Sequence, residues 1–289
     1  MATVGPMDGP TVPEPAGGTS PTGGPGRRVA LVTGASSGLG LAVAEALHAA
    51  GWTVAGASRR GTGGAGWRHD RVDVDDERAV REWVAEVAGA CGRLDAVVCN
   101  AGWGLAGSVE STSPAEARAQ FDTNFWGTVN VVQAALGHLR VARGRVVVMS
   151  SVAGALGIPF QAMYAASKFA LEGWAESLWW EVEPFGVRVS LVQPGNVRTG
   201  FTDARRRVAD DDAGPYCDAA RRALTRMVHD ERNGADPQRV ADVVVALLER
   251  DRPPLRVPVG SVGERSGLWA KRLLPHRVFV RIARDALCG

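Results

Sequence analysis

Tyr164 and Lys168, four residues apart in the stretch MYAASKFALEG, are the side chains of this sequence best suited to moving a proton. The 289-residue chain has only one other tyrosine, Tyr216, and one other lysine, Lys271; arginine carries nearly all of its positive charge. Residues four apart share a helix face, so a helical Met163–Glu183 makes the phenol and the ammonium neighbours. A free phenol has a pKa of about 10 and is a poor acid–base catalyst at neutral pH. An ammonium about 4 Å away contributes about 4 kcal/mol at an effective dielectric of about 20, enough to lower the phenol by up to about three pH units. A phenol so lowered can give a proton to an alcohol oxygen or take one from it. Arginine, longer and forked, is not equivalent to lysine in a tight site.

A second chemical signal is the turn TGASSGLG, which places Gly34, Ser36, Ser37, Gly38, Leu39 and Gly40 between an apolar run, Val29–Val32, and a helical pattern from Leu39 to about Ala49. Glycines let backbone approach a pyrophosphate, and N–H groups at a helix N-terminus attract its charge. The spacing is Gly-x-x-x-Gly-x-Gly rather than the commoner Gly-x-Gly-x-x-Gly, and a plain tight turn is the competing reading. After the next apolar run comes ASRR, with Ser58, Arg59 and Arg60 where an acid would hydrogen-bond an adenosine 2′-hydroxyl. Arg59 is suited to a 2′-phosphate, which favours NADP(H) over NAD(H), although an arginine-rich surface loop explains it too and NAD(H) stays open.

These residues need a scaffold. Strands are expected at WTVAGAS, LDAVVCNAG, GRVVVMSS, GVRVSLVQPG and PLRVPVG, with a weaker one at WRHDRVDV. Helices are expected at Glu77–Ala88, Pro114–Leu136, Met163–Glu183 and Pro237–Glu249. Short apolar strands alternating with helices imply an α/β fold: a single-domain, Rossmann-like, doubly wound parallel sheet of about seven strands with helices on both faces. Ligands on such sheets bind at the carboxyl ends of the strands.

Composition narrows the classes. A net charge of +2 gives no reason to expect a nucleic-acid partner, and no apolar run reaches the roughly 18 residues needed to span a bilayer. The N-terminus lacks the charged-then-apolar order of a signal peptide. Cys91, Cys99, Cys217 and Cys288 show no pair or metal spacing, so no metal is expected, and a reducing cytoplasmic setting suits them. Cys99 sits in an apolar run and reads as a buried thiol. Residues 1–26, half Gly and Pro, read as a disordered tail, residues 27–260 as the domain and 261–289 as a helical extension.

TGASSGLG, CNAG, NFWGT, a Ser-Ser before Tyr-x-x-x-Lys, and PGNVRT occur in the order seen in the short-chain dehydrogenase/reductase family, which the chain resembles from about Arg28 to Val259. The resemblance implies that Tyr164 is acid in reduction and base in oxidation. It implies that Lys168 lowers the tyrosine pKa and holds ribose hydroxyls, that Ser151 rather than Ser150 bonds the substrate oxygen, and that Asn124 anchors a proton relay. A satisfied polar group within a helix is the plainer reading of Asn124. Asn100, Ala101 and Gly102 of CNAG, with Cys99 replacing the family's first Asn, would border the cofactor, as would Asp73 and Val74 on the adenine side. Pro194, Gly195, Val197 and Thr199 would flank the nicotinamide amide.

GIPF before the tyrosine and KFALEG after the lysine resemble the hydroxysteroid- and retinol-dehydrogenase-like branch, implying a lipophilic ketone or secondary alcohol. The expected activity is an NADPH-dependent carbonyl reductase. An NAD-dependent alcohol dehydrogenase of the same family and a non-catalytic NADP-binding protein are the rivals. The family keeps a substrate lid where this chain has residues 200–235; Arg205–Arg207 there read as a solvated face or as a patch greeting an acidic partner. Trp174, Trp179 and Trp180, on the helix that begins at Tyr164, suggest a homodimer or homotetramer, with a plain core as the competing reading. The basic, apolar segment after Gly260 is expected to pack on its own domain or a partner rather than lie on a membrane surface, and Pro275 interrupts it.

Overall fold

The computed structural model describes residues 26–61, 66–208 and 214–288, so the expected tail lies almost wholly outside the described residues. The chain runs β1 (Val29–Thr33), α1 (Gly38–Ala49), β2 (Thr53–Ser58), β3 (Arg68–Arg71), α2 (Glu77–Cys91), β4 (Ala96–Cys99), β5 (Leu105–Ala106) and α3 (Pro114–Phe121). A π-helical turn (Asp122–Trp126) leads into α4 (Gly127–Ala142), β6 (Arg145–Met149), a short 3-10 turn (Val152–Gly154) and α5 (Ala162–Val182). Then follow β7 (Arg188–Pro194), α6 (Phe201–Ala204), β8 (Arg206–Arg207), α7 (Cys217–Arg232), α8 (Pro237–Glu249), β9 (Arg256–Val259), α9 (Val262–Leu273) and α10 (His276–Cys288).

Seven strands form one parallel sheet in the order β3-β2-β1-β4-β6-β7-β9. Alternation along β1 shows how the sequence builds it: Val29 and Leu31 enter the core under α2, α4 and α5, while Ala30 and Val32 enter the core under α1 and α8. Both faces are covered, so the strands read as continuous apolar runs. The chain winds outward from β1 through β2 to β3, then returns to place β4 on the other side of β1. A crevice opens at that reversal, at the carboxyl ends of the strands.

Two departures from the sequence reading matter. The single helix expected over Pro114–Leu136 is divided into α3 and α4 by the π turn around Asn124. In the turn the Asn124 carbonyl accepts a hydrogen bond from Thr128 Oγ1 at 3.2 Å. The two-residue strands β5 and β8 pair with each other as a separate small sheet, an attachment between the α6–α7 region and the segment after β4 that no periodicity announces.

Candidate active site

The glycine turn closes on itself because side chains have no room there. Gly34 and Gly38 adopt φ of 66° and 57°, the left-handed region that favours glycine. A Cβ on Gly40 would run into the Gly34 carbonyl and the Asn100 amide. Thr33 Oγ1 accepts from the backbone N–H of Asn100 and of Ala101, both at 3.0 Å, and Asn100 Nδ2 donates to the Thr33 carbonyl at 3.0 Å. The end of β4 is thus tied to the turn. Ser37, the N-cap of α1, makes no capping bond with its side chain, so the first N–H groups of α1 stay free for an anion.

Next to this turn stands a second arginine as well as Arg59: Arg60 donates to Ser36 Oγ at 2.9 Å and to Ser37 Oγ at 3.3 Å. Arg59 is near enough to the Asp75 carboxyl to favour its charged form. Ser58 is buried and shares a 2.9 Å hydrogen bond with His69 Nε2. Asp73 caps its own loop through Asp75 N–H, and Val74 packs beneath Gly127.

Across the crevice, Ser151, Tyr164 and Lys168 come together. Ser151 Oγ accepts from Ala153 N–H at 3.1 Å, which fixes it at the start of the 3-10 turn, and donates to the Pro194 carbonyl at 3.4 Å; it lies near enough to the Tyr164 hydroxyl to pull that phenol's pKa down. Ser150 is turned away, donating to Glu172 Oε1 at 2.6 Å. Lys168 Nζ donates to the Met149 carbonyl at 2.7 Å and lies 5.8 Å from the centre of the Tyr164 ring. Asn124 is fully buried; its side chain accepts from Trp103 N–H at 3.0 Å and donates to the Trp103 carbonyl and to Ser167 Oγ at 3.0 and 3.2 Å. The amide is therefore satisfied by protein.

The electrostatics bear on Tyr164 directly. Burial raises its phenol above the ordinary value; the Ser151 hydroxyl opposes that, Glu231 adds to it, and Arg205 also works against it. The groups that set this direction are these rather than Lys168. Its own ammonium is desolvated, which brings its pKa down to about 8 despite the opposing pull of Glu172. The ammonium sits 5.8 Å from the ring centre, with one N–H directed at the Met149 carbonyl.

A cavity of about 720 Å³ joins these parts. Its walls include Gly34, Ser37, Gly38, Leu39, Asn100, Ala101, Gly102, Ser151, Tyr164, Lys168, Pro194, Gly195, Val197 and Thr199. Of the other sequence candidates, Asn124 lies beneath the wall, while Ser36, Gly40, Ser58, Arg59, Asp73 and Val74 lie around the glycine turn and the loop after β3. Beyond Tyr164 the wall turns apolar with Leu156, Ile158, Phe201, Met227 and Phe279.

Three contributors escaped the sequence reading. Phe201 of α6 packs on Tyr164 with ring centres 5.8 Å apart. Behind it the nearly buried Arg205 pairs with Glu231, which also accepts from Thr202 Oγ1 at 2.6 Å. Arg205 belongs to the run read as a solvated face, yet its side chain is 3% exposed; no local pattern links residues this far apart. Glu264 of α9 accepts from Asn196 N–H at 2.5 Å and from Ser261 N–H at 2.7 Å, joining the C-terminal helices to the Pro194–Asn196 wall. Its one sequence signal is the Ser-x-x-Glu spacing of a capping box.

Comparison with known proteins agrees with this geometry. The family model described as short chain dehydrogenase matches residues 28–210. A 3-ketodihydrosphingosine reductase of Bacteroides thetaiotaomicron is 38% identical over 255 residues, covering 87% of this chain and 94% of that protein. The human 17-beta-hydroxysteroid dehydrogenase type 1 is 36% identical, covering 80% of this chain and 76% of that one. The crystal structure of a short-chain dehydrogenase from Streptomyces avermitilis superimposes with a TM-score of 0.77 at 32% identity, covering 90% of this chain and 98% of that chain.

Proposed function

Because this chain belongs to the short-chain dehydrogenase family and is an oxidoreductase of that kind, we propose that it is an NADPH-dependent carbonyl reductase acting on a lipophilic ketone. The observation that carries the reading is the convergence of Ser151, Tyr164 and Lys168 on one wall of the cavity, at the junction of a glycine cradle and an apolar pocket. The cradle fits a dinucleotide: side-chain-free Gly34, Gly38 and Gly40, the uncapped start of α1, and Asn100–Gly102 all border it. When bound, the nicotinamide supplies the hydride.

The chain's own residues supply the rest. Ser151 Oγ orients and polarises the carbonyl oxygen, and Tyr164 donates its proton to that oxygen as charge develops there. Burial keeps the phenol in its proton-donor form but also makes it the weaker acid, so the Ser151 hydroxyl and the Arg205 cation, which both work against the rise, are what favour release of the proton to the substrate oxygen. Lys168, next to the carbonyl of Met149, re-supplies the proton; with the Asn124 amide committed to Trp103 and Ser167, any role for Asn124 falls to its main-chain carbonyl. The relatives named for a ketosphingoid base and for steroids support a lipophilic substrate, as does the apolar far wall of the cavity.

Direct assay of ketone-dependent NADPH oxidation, with long-chain and steroid ketones, tests the reading. Binding of NADPH with no turnover of any ketone would leave a nucleotide-binding protein. NADPH preference rests on Arg60 more than Arg59. Arg60→Ala is expected to weaken NADPH binding by about tenfold or more, the loss of a charge-assisted contact, with NADH binding unchanged. Titration by tryptophan fluorescence reads both; an equal effect on the two nucleotides would remove the argument.

The pH dependence follows from Lys168. It is charged below about 8 and neutral above, while Tyr164 keeps its proton to higher pH. In the reducing direction kcat/KM is therefore expected to be level near neutrality and to fall as pH rises through about 8. A limb that stays level up to the phenol range would assign proton supply to another group.

A further inference from the structure

The C-terminal helices turn one side to the cavity and leave another in solvent. In α9, Gly263, Gly267 and Ala270 line the cavity. Val262, Trp269 and Leu273, spaced seven and four apart, form one stripe on the other side and are 74%, 60% and 75% exposed. Arg265 and Arg272 run beside that stripe, both exposed. In α10, Phe279, Ile282 and Ala283 line the cavity, whereas Arg277 and Arg281 share the opposite, exposed face.

This is an unusual concentration. Of thirteen exposed large hydrophobic residues among those described, six fall between Val262 and Ile282. The same stretch holds Arg265, Lys271, Arg272, Arg277 and Arg281 against one acid, Glu264, whose carboxylate is turned inward onto Asn196 and Ser261. Lys271 is occupied by the Ala155 carbonyl and the Phe169 ring. Among the described residues nothing engages the four arginines.

We propose that the outer face of α9 and α10 docks on the surface of an anionic lipid bilayer. Trp269, Leu273 and Val262 would enter the headgroup–acyl boundary while the four arginines meet lipid phosphates, the arrangement of an interfacial amphipathic helix. A second copy of this chain is the poorer occupant, because an isologous contact sets two strongly basic faces against each other. Neither helix is long and apolar enough to cross the membrane. Ile282 is both part of the cavity wall and 54% exposed, so the cavity reaches the surface next to the docking face. Passage of a lipid-soluble substrate from bilayer to cavity rests on the proposed function; docking does not.

Co-flotation of the full chain with vesicles tests this. Vesicles of phosphatidylcholine with about a third phosphatidylglycerol should carry the chain upward, and phosphatidylcholine alone should carry about tenfold less. Arg265→Gln/Arg272→Gln and, separately, Trp269→Ala/Leu273→Ala should each lower flotation by about tenfold, with NADPH binding as the control for folding. Tyr164→Phe should float like the parent, which separates docking from catalysis. Absence of flotation on the phosphatidylglycerol-containing vesicles, or equal flotation on both kinds, would overturn the proposal. So would variants that float like the parent, or a dimer by light scattering that Trp269→Ala/Leu273→Ala dissolves.

Discussion

Tyr164→Phe is expected to lower kcat by about a thousandfold or more while leaving the NADPH dissociation constant within about twofold. Proton transfer by a positioned side chain contributes between about 10² and 10⁴ in rate, and no other acid shares the Ser151 position. The substitution keeps the ring, so the packing against Phe201 at 5.8 Å survives and the fold is expected to stand. Steady-state kinetics with a responsive ketone and fluorescence titration with NADPH give the two numbers. Retention of a tenth of the parent kcat would remove Tyr164 from the chemistry.

Glu172→Ala should cost about 3 kcal/mol of stability and lower the melting temperature by about 6–10 °C. Glu172 is buried; it accepts from Ser150 Oγ at 2.6 Å, Gln193 Nε2 at 2.9 Å and Arg256 Nε at 2.8 Å. Truncation strands two buried polar groups and removes one of the two carboxylates paired with Arg256; Glu176 remains and the Arg256 side chain is 34% exposed, which keeps the loss at the low end of the range for buried pairs. There is a functional signature too. Glu172 is the group that supports the Lys168 charge against burial. Glu172→Gln retains the shape and some of the hydrogen bonds but removes the negative field, so the Lys168 pKa falls further and the alkaline limb of kcat/KM moves to lower pH. A limb unmoved in Glu172→Gln would reduce Glu172 to a structural part. Calorimetry and the pH profile read the two effects separately.

Much of this was legible in the chain. The strands were, because a sheet buried on both faces demands apolar runs such as AVVC and RVVVM. The glycine turn was, because Gly34 and Gly38 occupy left-handed backbone conformations that glycine adopts at least cost. Tyr164 and Lys168 were, because helix geometry fixes residues four apart. What failed to show depends on three-dimensional context. Whether Arg59 or Arg60 faces the glycine turn is decided by the path of a loop, not by composition. The direction of the Tyr164 pKa is decided by how deeply α5 and α6 bury it, which a spacing of four does not carry. Arg205 and Glu231 meet across 26 residues of chain, and only the packing of α7 reveals the pair.

The π turn at Asp122–Trp126 has a meaning for how this chain can vary. A π turn is in effect one residue inserted into an α-helix, and one residue rotates everything after it by about 100°. Val131, Val132, Ala135 and Leu139 of α4 face the core only because that extra residue has already set their phase. Deleting any one residue of the turn would restore regular hydrogen bonding yet swing this apolar row out toward water. Length in this segment is therefore held more tightly than identity: substitutions can be absorbed one at a time, whereas a loss or gain of a single codon cannot.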